Sequence, residues 1–233
     1  MKTIGMIGGM SWESSKVYYE LTNKITKERL GGSHSARSIL ITVDFAEIER
    51  LTFQGDWDAI GTIMADHTRK LERAGADAVL LCTNTIHLVS HQIEAATTLP
   101  FLHIAEATGD AVQRAGLQKV GLLGTRFTME KDFYTKILQD RYGLQVVIPS
   151  KMERQTVHDL IYDEMVKGRF TEHAKQSCLR IIDNLERQGA QGVILGCTEL
   201  PILLSPSEVA IPIFDTTRIH VEKAMDFALA KVK

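Results

Sequence analysis

Two of the three cysteines follow short apolar runs and lie next to polar residues, where a side chain could meet a substrate. Cys82 opens the stretch Cys-Thr-Asn-Thr, and Cys197 lies in Gly-Cys-Thr-Glu. The pKa of a free thiol is about 8.5, so it can act as a nucleophile, a base or, when protonated, an acid. The alternative is a buried structural residue, because unpaired cysteines are common in protein cores. Cys178 lies on the apolar face of a predicted helix and is expected to be such a core residue.

The amino-acid composition argues against several classes of function. The chain has 233 residues, a formal net charge of −2 and dispersed basic residues, which argues against nucleic-acid or anionic-membrane partners. No apolar run approaches the roughly 20 residues of a membrane span, and the N-terminus lacks signal-peptide features. We therefore expect a cytoplasmic protein. The chain has three cysteines, an odd number, and none of them are in C-x-x-C spacing, so a disulfide framework is not expected. The histidines are not spaced as metal ligands, so a metal site is not expected either.

Short apolar segments alternate with amphipathic segments along the chain, which predicts an α/β protein with mainly parallel sheets. Several strands are apolar throughout, as is typical of sheets covered on both faces. The predicted strands are 4–7, 39–43, 78–81, 101–104, 120–123, 146–148, 193–195 and 211–214. The predicted helices are 14–30, 56–74, 106–115, 128–141, 153–167, 171–188 and 217–232.

The sequence repeats itself once. Residues 3–9 resemble 119–125 at an offset of 116, and residues 74–81 resemble 188–195 at an offset of 114. A third match, 100–103 with 212–215, has an offset of 112. The repeat predicts two pseudo-symmetric lobes, each a mainly parallel sheet flanked by helices, with a shared cleft at the carboxyl ends of the strands. The first lobe is predicted to span 1–100, with the helix 217–233 packing back on it, and the second 101–216.

The repeat also gives an internal alignment of the two candidate cysteine loops. Aligning Gly75 with Gly189 makes Thr83, the residue after Cys82, the counterpart of Cys197. Cys82 itself is then expected to be a buried residue at a strand end. The reactive position of the first loop is therefore expected to hold a hydroxyl rather than a thiol.

Three motifs resemble the aspartate/glutamate racemase family: GGMSWESS at 8–15, CTNT at 82–85 and GCTELP at 196–201. The resemblance covers nearly the whole chain and implies a cofactor-independent enzyme with its active site between two α/β lobes, usually a homodimer. The family pattern has a cysteine before the Asn-Thr of the first lobe and another in the second. Cys197 matches the second cysteine, whereas Thr83 departs from the pattern at the first.

The chemistry implied is racemisation at Cα of an acidic amino acid, aspartate or glutamate, without pyridoxal phosphate. One group removes the α-proton while an opposing group returns a proton on the other face. Thr83 and Cys197 are the expected catalytic pair. By resemblance, Cys197 works on the L face, and Thr83 is a weak partner because a hydroxyl is far less acidic than a thiol.

Other residues are expected to bind the substrate. Asn84, Thr85 and Thr198 would stabilise the carboxylate as it gains enolate-like charge. Met10 would contact the substrate through its loop backbone and Thr125 would bind the α-carboxylate. By resemblance, Arg50 or Thr52 and Lys167 would hold the distal carboxylate, although both segments also resemble ordinary helix ends. Glu199 would orient Cys197 or hold the ammonium group.

Several alternatives stay open at this point. His87, His103 and His220 could assist proton transfer, but each is expected to be a capping or core histidine. A related isomerase or decarboxylase of the same fold could form an enolate with one cysteine. A sensor of a different class would bind acidic amino acids with little turnover. The sequence does not rank aspartate against glutamate.

Overall fold

The computed structural model describes residues 1–230, and the end of the helix predicted for 217–233 lies outside this range. Two compact units divide the chain. Unit 1 comprises Met1–Ile104 and the chain from His220 on, and unit 2 comprises Ala105–Ile219. Each unit has a four-stranded parallel sheet with helices, which confirms the predicted α/β class.

Unit 1 has the strand order β2-β1-β3-β4. Its strands are β1 (Ile4–Gly8), β2 (Ser38–Thr42), β3 (Ala78–Leu81) and β4 (Phe101–Leu102), and its first helices are α1 (Trp12–Leu30), α2 (Phe45–Gln54), α3 (Trp57–Arg73) and α4 (Ser90–Ala95). A 3₁₀ turn, Thr85–Val89, links β3 to α4. Central strands β1 and β3 are buried along their length, as their uninterrupted apolar sequences predict.

Unit 2 has the corresponding strand order β6-β5-β7-β8. The elements from its beginning are α5 (Ile104–Arg114), β5 (Lys119–Gly124), α6 (Arg126–Glu130), α7 (Asp132–Tyr142), β6 (Gln145–Val147), α8 (Lys151–Asp159), α9 (Glu172–Arg187), β7 (Val193–Gly196), α10 (Leu200–Leu203), β8 (Ile213–Asp215) and α11 (Thr216–Leu229). A π turn, Leu160–Glu164, and two 3₁₀ turns, Met165–Lys167 and Pro206–Glu208, complete the described elements. The boundary of unit 1 falls inside α11, at His220.

The sheet of unit 1 is covered on both faces. Ile7, Val79 and Leu81 pack in one apolar cluster with side chains of α2 and α3. The alternate strand residues pack in a second cluster with Tyr18 of α1 and the apolar face of α11; they are Ile4, Met6, Ala78, Leu80 and Cys82, with Val221, Ala224, Met225 and Ala228 from α11. Because successive strand residues point to opposite faces, both halves of these apolar runs are buried.

The strand register of the two sheets reproduces the internal repeat. Gly5 pairs with Val79 in unit 1, and Gly121 pairs with Val193 in unit 2. The same positions pair onward, Val79 with Phe101 and Val193 with Ile213. Corresponding residues in these pairs are separated by 116, 114 and 112 positions, the offsets of the sequence repeat. The equivalence of the two sheets therefore rests on strand pairing as well as on residue similarity.

Some predicted elements differ from the structure. The strand predicted for 101–104 ends at Leu102, because α5 begins at Ile104. The helix predicted for 128–141 is two helices, which meet at Lys131 in extended backbone. The helix predicted for 153–167 continues only to Asp159 as an α-helix before the π and 3₁₀ turns.

Short helices were missing from the prediction. Helix α2 lies directly after β2 and carries two of the predicted binding residues. Asp44 caps it by accepting from the backbone N–H of Ala46, and Gly55 ends it in the left-handed conformation. Both are recognised helix signals. The helix is only ten residues long, and α4 and α10 are shorter still.

Candidate functional site

The loop after β3 holds Thr83 by its backbone. Its N–H donates to the carbonyl of Leu81 at 2.9 Å, and its own carbonyl accepts from Nδ1 of His87 at 2.8 Å. Thr83 is buried, as are Asn84 and Thr85, which follow it. The N–H and the carbonyl of Thr83 are therefore both held by hydrogen bonds, which fixes the direction of its Cα–Cβ bond.

His87 is part of a buried histidine cluster that the sequence did not reveal. Its ring centroid lies 4.7 Å from that of His103 and 5.7 Å from that of His220. Because Nδ1 of His87 donates to a carbonyl, Nε2 must accept the 3.3 Å bond from the N–H of Ile104. This arrangement needs the neutral ring, and burial together with the neighbouring histidines holds the pKa of His87 well below its usual value.

His220 is neutral for the same reason. Its Nε2 donates to the carbonyl of Leu102, so its Nδ1 accepts from the hydroxyl of Tyr18, 2.9 Å away. Burial lowers the pKa of His220 to about 4. The cluster therefore joins the loop after β3, the end of β4 and α11, and the rings of His87 and His220 in it are uncharged. His87 contacts Thr83 directly, and all three histidines are buried in unit 1, as expected of core residues.

The loop after β7 forms a hydrogen-bonded group around one carboxylate. The Cys197 thiol donates to Oε2 of Glu199 at 2.9 Å, and the Thr198 hydroxyl donates to the same oxygen at 2.7 Å. Cys197 is 7% exposed and Glu199 3% exposed. The structure thus brings three predicted site residues into direct contact at the carboxyl end of a strand.

The thiol of Cys197 is kept protonated in this setting. Burial raises its pKa well above the ordinary value, and the charge and hydrogen bond of Glu199 raise it further. The backbone N–H groups of Glu199 and Leu200 act in the opposite direction. The resting group is therefore a thiol paired with a carboxylate.

Cys82 is enclosed in the second apolar cluster of unit 1. Its exposure is 0%, its N–H donates to the carbonyl of Ile7, and burial raises the pKa of its thiol. The prediction that Cys82 is a buried strand-end residue is confirmed. Cys178 is also fully buried, on the apolar face of α9, as predicted.

The loop after β1 offers mainly its backbone. Gly9 has φ of +94°, and a Cβ at this position would lie 2.3 Å from the carbonyl oxygen of Val43, so only glycine fits. The N–H of Gly9 donates to Oγ of Ser15 at 2.7 Å. The Met10 side chain belongs to the first apolar cluster of unit 1, which leaves its backbone as the part available to a ligand.

The predicted cation sites have ordinary helical neighbours. Arg50 is exposed in the middle of α2 and donates to Gln54 at 2.8 Å. Thr52 is buried, and its hydroxyl donates to the carbonyl of Ile48. The Lys167 side chain is 58% exposed and lies 3.9 Å from Asp163. Their assignment to a distal carboxylate stays a prediction.

Thr125 lies at the end of β5 as the N-cap of α6. Its Oγ1 accepts from the backbone N–H of Thr128 at 3.2 Å and lies 3.1 Å from the hydroxyl of the same residue. The residue is buried. This capping role is compatible with a second hydrogen bond to a carboxylate, since a hydroxyl both donates and accepts.

The described part of the chain has neither a candidate metal site nor a candidate membrane span. Within residues 1–230, no group of three or more His, Cys, Asp or Glu side chains is placed to hold a metal ion. Across the same range, no helix is long and apolar enough to cross a membrane.

Comparison with known proteins gives one family. The family model described as Asp/Glu/Hydantoin racemase matches residues 7–224. The broad specificity amino-acid racemase RacX of Bacillus subtilis (strain 168) is 28% identical over 175 residues, which are 75% of each chain.

Two crystal structures are similar over nearly the whole chain. A Yersinia pestis protein named for the Asp/Glu racemases is 45% identical, with a TM-score of 0.92 over 98% of this chain and 100% of that one. An aspartate racemase homologue from Pyrococcus horikoshii OT3 is 34% identical, with a TM-score of 0.84 over 98% of this chain and 99% of that one.

Proposed function

The chain belongs to the Asp/Glu/hydantoin racemase family, and we propose that it racemises aspartate and glutamate by moving the α-proton between Cys197 and Thr83. The observation that carries the proposal is the buried Cys197–Glu199 hydrogen bond, at the strand position equivalent to Thr83. Racemase activity is the common property in the names of the relatives. The proton transfers use side chains alone, so the proposed reaction needs no pyridoxal cofactor.

On the L face, Cys197 removes the α-proton and returns it in the reverse direction. The carbanion formed at Cα shares its charge with the carboxylate. Hydrogen bonds from the loops that carry Asn84, Thr85 and Thr198 would stabilise this enolate-like charge, which is where fixed donors contribute most to rate. Thr125 and the backbone at Met10 would hold the α-carboxylate.

On the D face, Thr83 donates a proton to the carbanion through its hydroxyl. It is a poor base, since a hydroxyl loses its proton far less readily than a thiol. Racemisation has an equilibrium constant of one, so the ratio of kcat/KM values for the two enantiomers cannot depart from unity. The difference between the faces therefore appears in proton exchange rather than in net direction.

The acidic side chain of the substrate needs a cation. The proposed partners of the distal carboxylate are Lys167 and either Arg50 or Thr52. Lys167 is suited to this role because its ion-pair distance to Asp163 is long at 3.9 Å, which leaves its ammonium group loosely held. We also propose a homodimer, which rests on the family resemblance alone and which sedimentation equilibrium would test. The cytoplasmic location is a separate proposal that rests on the sequence.

Proton exchange in D₂O tests the function and the assignment of faces together. We expect the L enantiomer to incorporate deuterium faster than it racemises, because the proton that Cys197 has removed can exchange on sulfur for a deuteron, which returns to Cα before Thr83 donates. The D enantiomer should exchange slowly. Cys197→Ser should lose most of the L exchange.

The outcomes are separable. Equal incorporation into both enantiomers would contradict the assignment of Cys197 to the L face. Circular dichroism of L- and D-glutamate or aspartate incubations follows racemisation itself. A thermal shift with ligand but no change in optical signal would contradict racemisation and favour an amino-acid sensor.

A further inference from the structure

Glu199 is a buried carboxylate whose two described side-chain donors reach the same oxygen. Cys197 and Thr198 both donate to Oε2, at 2.9 and 2.7 Å. Burying a carboxylate is costly unless hydrogen bonds compensate for the lost water. Two donors on one atom therefore hold this oxygen in place next to the thiol sulfur. The carboxylate is the nearest described acceptor for a proton leaving Cys197.

The equivalent loop of unit 1 has no such group. The offset of 114 residues that relates β3 to β7 makes Asn84 the counterpart of Thr198 and Thr85 the counterpart of Glu199. Thr83, Asn84 and Thr85 include neither a thiol nor a carboxylate. All three aligned positions therefore differ, and these residues of unit 1 lack both the thiol and the carboxylate of unit 2.

We propose that Glu199 is the proton acceptor for Cys197, a positioning residue that converts the resting thiol into the base. This inference rests on the proposed racemisation and names the step that prepares it. Glu199 touches no substrate atom in this scheme and acts through the sulfur. The proton of this pair lies on sulfur at rest and on Oε2 when Cys197 removes the α-proton.

The step balances within the pair and the substrate. The S–H bond of Cys197 breaks and an O–H bond forms on Glu199, with no change in the net charge of the pair. The thiolate then takes the α-proton, so a new S–H bond forms as the Cα–H bond breaks. After Thr83 donates to the other face, Glu199 loses its proton to water and Thr83 regains one from water.

Burial explains why the thiol needs an internal acceptor. Cys197 is 7% exposed, and the low polarity around it disfavours a thiolate made by losing a proton to bulk water. Transfer to Glu199 avoids adding a second charge to the buried site. It also removes the negative charge that opposes thiolate formation, because the carboxyl group becomes neutral in the same step.

The pH dependence of kcat/KM for the L enantiomer tests the relay in the intact protein. In the wild type, the acid limb should extend below the pH range in which the thiol ionises by itself, because Glu199 accepts the thiol proton. In Glu199→Gln, which keeps the size of the side chain but cannot accept this proton, the limb should move to alkaline pH, where the thiol itself ionises. Activity near neutral pH should fall by about 10² and recover at high pH. Glu199→Asp should restore part of the acid-side activity.

Alkylation of Cys197 by iodoacetamide, followed by mass spectrometry, gives a readout that does not need racemisation. The wild type should show a plateau of alkylation at neutral pH, from the small fraction in which the proton lies on Glu199. Glu199→Gln should lose the plateau and react only as the pH rises. Glu186→Gln removes an exposed carboxylate from α9 and should leave both profiles unchanged.

Each outcome decides the matter. An acid limb and an alkylation plateau that stay in place in folded Glu199→Gln would overturn the relay. A raised KM alone, with both profiles unchanged, would also overturn it and assign Glu199 to the substrate ammonium. If the wild type racemises nothing, the proposed function fails, and the alkylation profiles still decide whether Glu199 accepts the thiol proton.

Discussion

Thr83 and Cys197 each lie two residues beyond paired strand residues that have the same register in both sheets. Leu81 pairs with Ile7 in unit 1, and Leu195 pairs with Leu123 in unit 2. A hydroxyl in unit 1 thus stands where unit 2 has a thiol. The structural equivalence makes Thr83 the residue whose substitution should restore the symmetry of the pair.

Thr83→Cys should raise kcat/KM for racemisation by about tenfold. A thiol donates and accepts protons more readily than a hydroxyl near neutral pH, and general acid–base groups contribute roughly 10² to 10⁴ in rate. The gain should fall short of that range, because unit 1 has Thr85 where unit 2 has the acceptor Glu199. Circular dichroism with both enantiomers measures the rate.

Thr83→Ser is the matched control for this change. It keeps the hydroxyl and should leave the racemisation rate within about threefold of the wild type. If Thr83→Cys gives no gain while the protein stays folded, Thr83 does not face the substrate.

Cys82→Ala should affect stability rather than chemistry. The side chain is fully buried in the second apolar cluster, so its loss leaves a small cavity that should cost about 1–2 kcal/mol of unfolding free energy. Exchange and racemisation rates should stay within about threefold. Urea unfolding and the D₂O assay measure the two effects, and a large loss of exchange in a stable variant would make Cys82 a reactive group.

The neutral histidine cluster should make unit 1 sensitive to mild acid. The folded-state pKa of His220, about 4, is below the unfolded value near 6.5, so the unfolded chain binds the proton more readily. The stability that this difference provides is complete above about pH 6.5 and is lost as the pH falls toward about 4. At roughly 1.4 kcal/mol per pKa unit, His220 alone accounts for about 3 kcal/mol.

Urea unfolding at pH 7.5, 6 and 5 measures this dependence. Carboxylates whose pKa values are lowered on folding, such as Glu153, act mainly below about pH 4.5, outside most of this window. His220→Asn should be less stable than the wild type at pH 7.5 and should lose less on acidification. Parallel slopes for the two proteins would refute the assignment to His220.

Lys167→Ala tests the proposed cation for the distal carboxylate. If the ammonium group binds the substrate equally in the ground and transition states, KM for aspartate or glutamate should rise by about tenfold with little change in kcat. Lys151→Ala removes another exposed charge from unit 2 and should change neither constant. An unchanged KM in Lys167→Ala removes that side chain from the site.

The parts of the fold that the sequence predicts well are those with uninterrupted apolar runs between polar residues. Strand β3 begins and ends as predicted, because its apolar run lies between Asp77 and the polar stretch after Cys82. Helix α2 was missed although Asp44 and Gly55 mark its ends. Its apolar stripe covers fewer than three turns, too few for the helical period to stand out.

The candidate site also has parts that the sequence predicts and parts that it does not. The equivalence of Thr83 and Cys197 could be predicted, since it depends only on a repeat offset. For Glu199 the sequence left two roles open, orienting Cys197 or holding the ammonium group, and the contact with the sulfur depends on the helical backbone conformation of Glu199, which the sequence did not give. The histidine cluster also lay beyond prediction, since its rings come from distant parts of the chain and meet only through tertiary packing.

The division of α11 between the two units has a consequence for synthesis. Unit 2 is one continuous stretch of chain, whereas the core of unit 1 needs Val221, Met225 and their neighbours from the last helix. Domains commonly fold in order as the chain leaves the ribosome. Here unit 2 can be complete first, while the earliest-made residues of unit 1 wait for α11. Until α11 has been made, β3 and the loop with Thr83 lack the layer that buries Cys82.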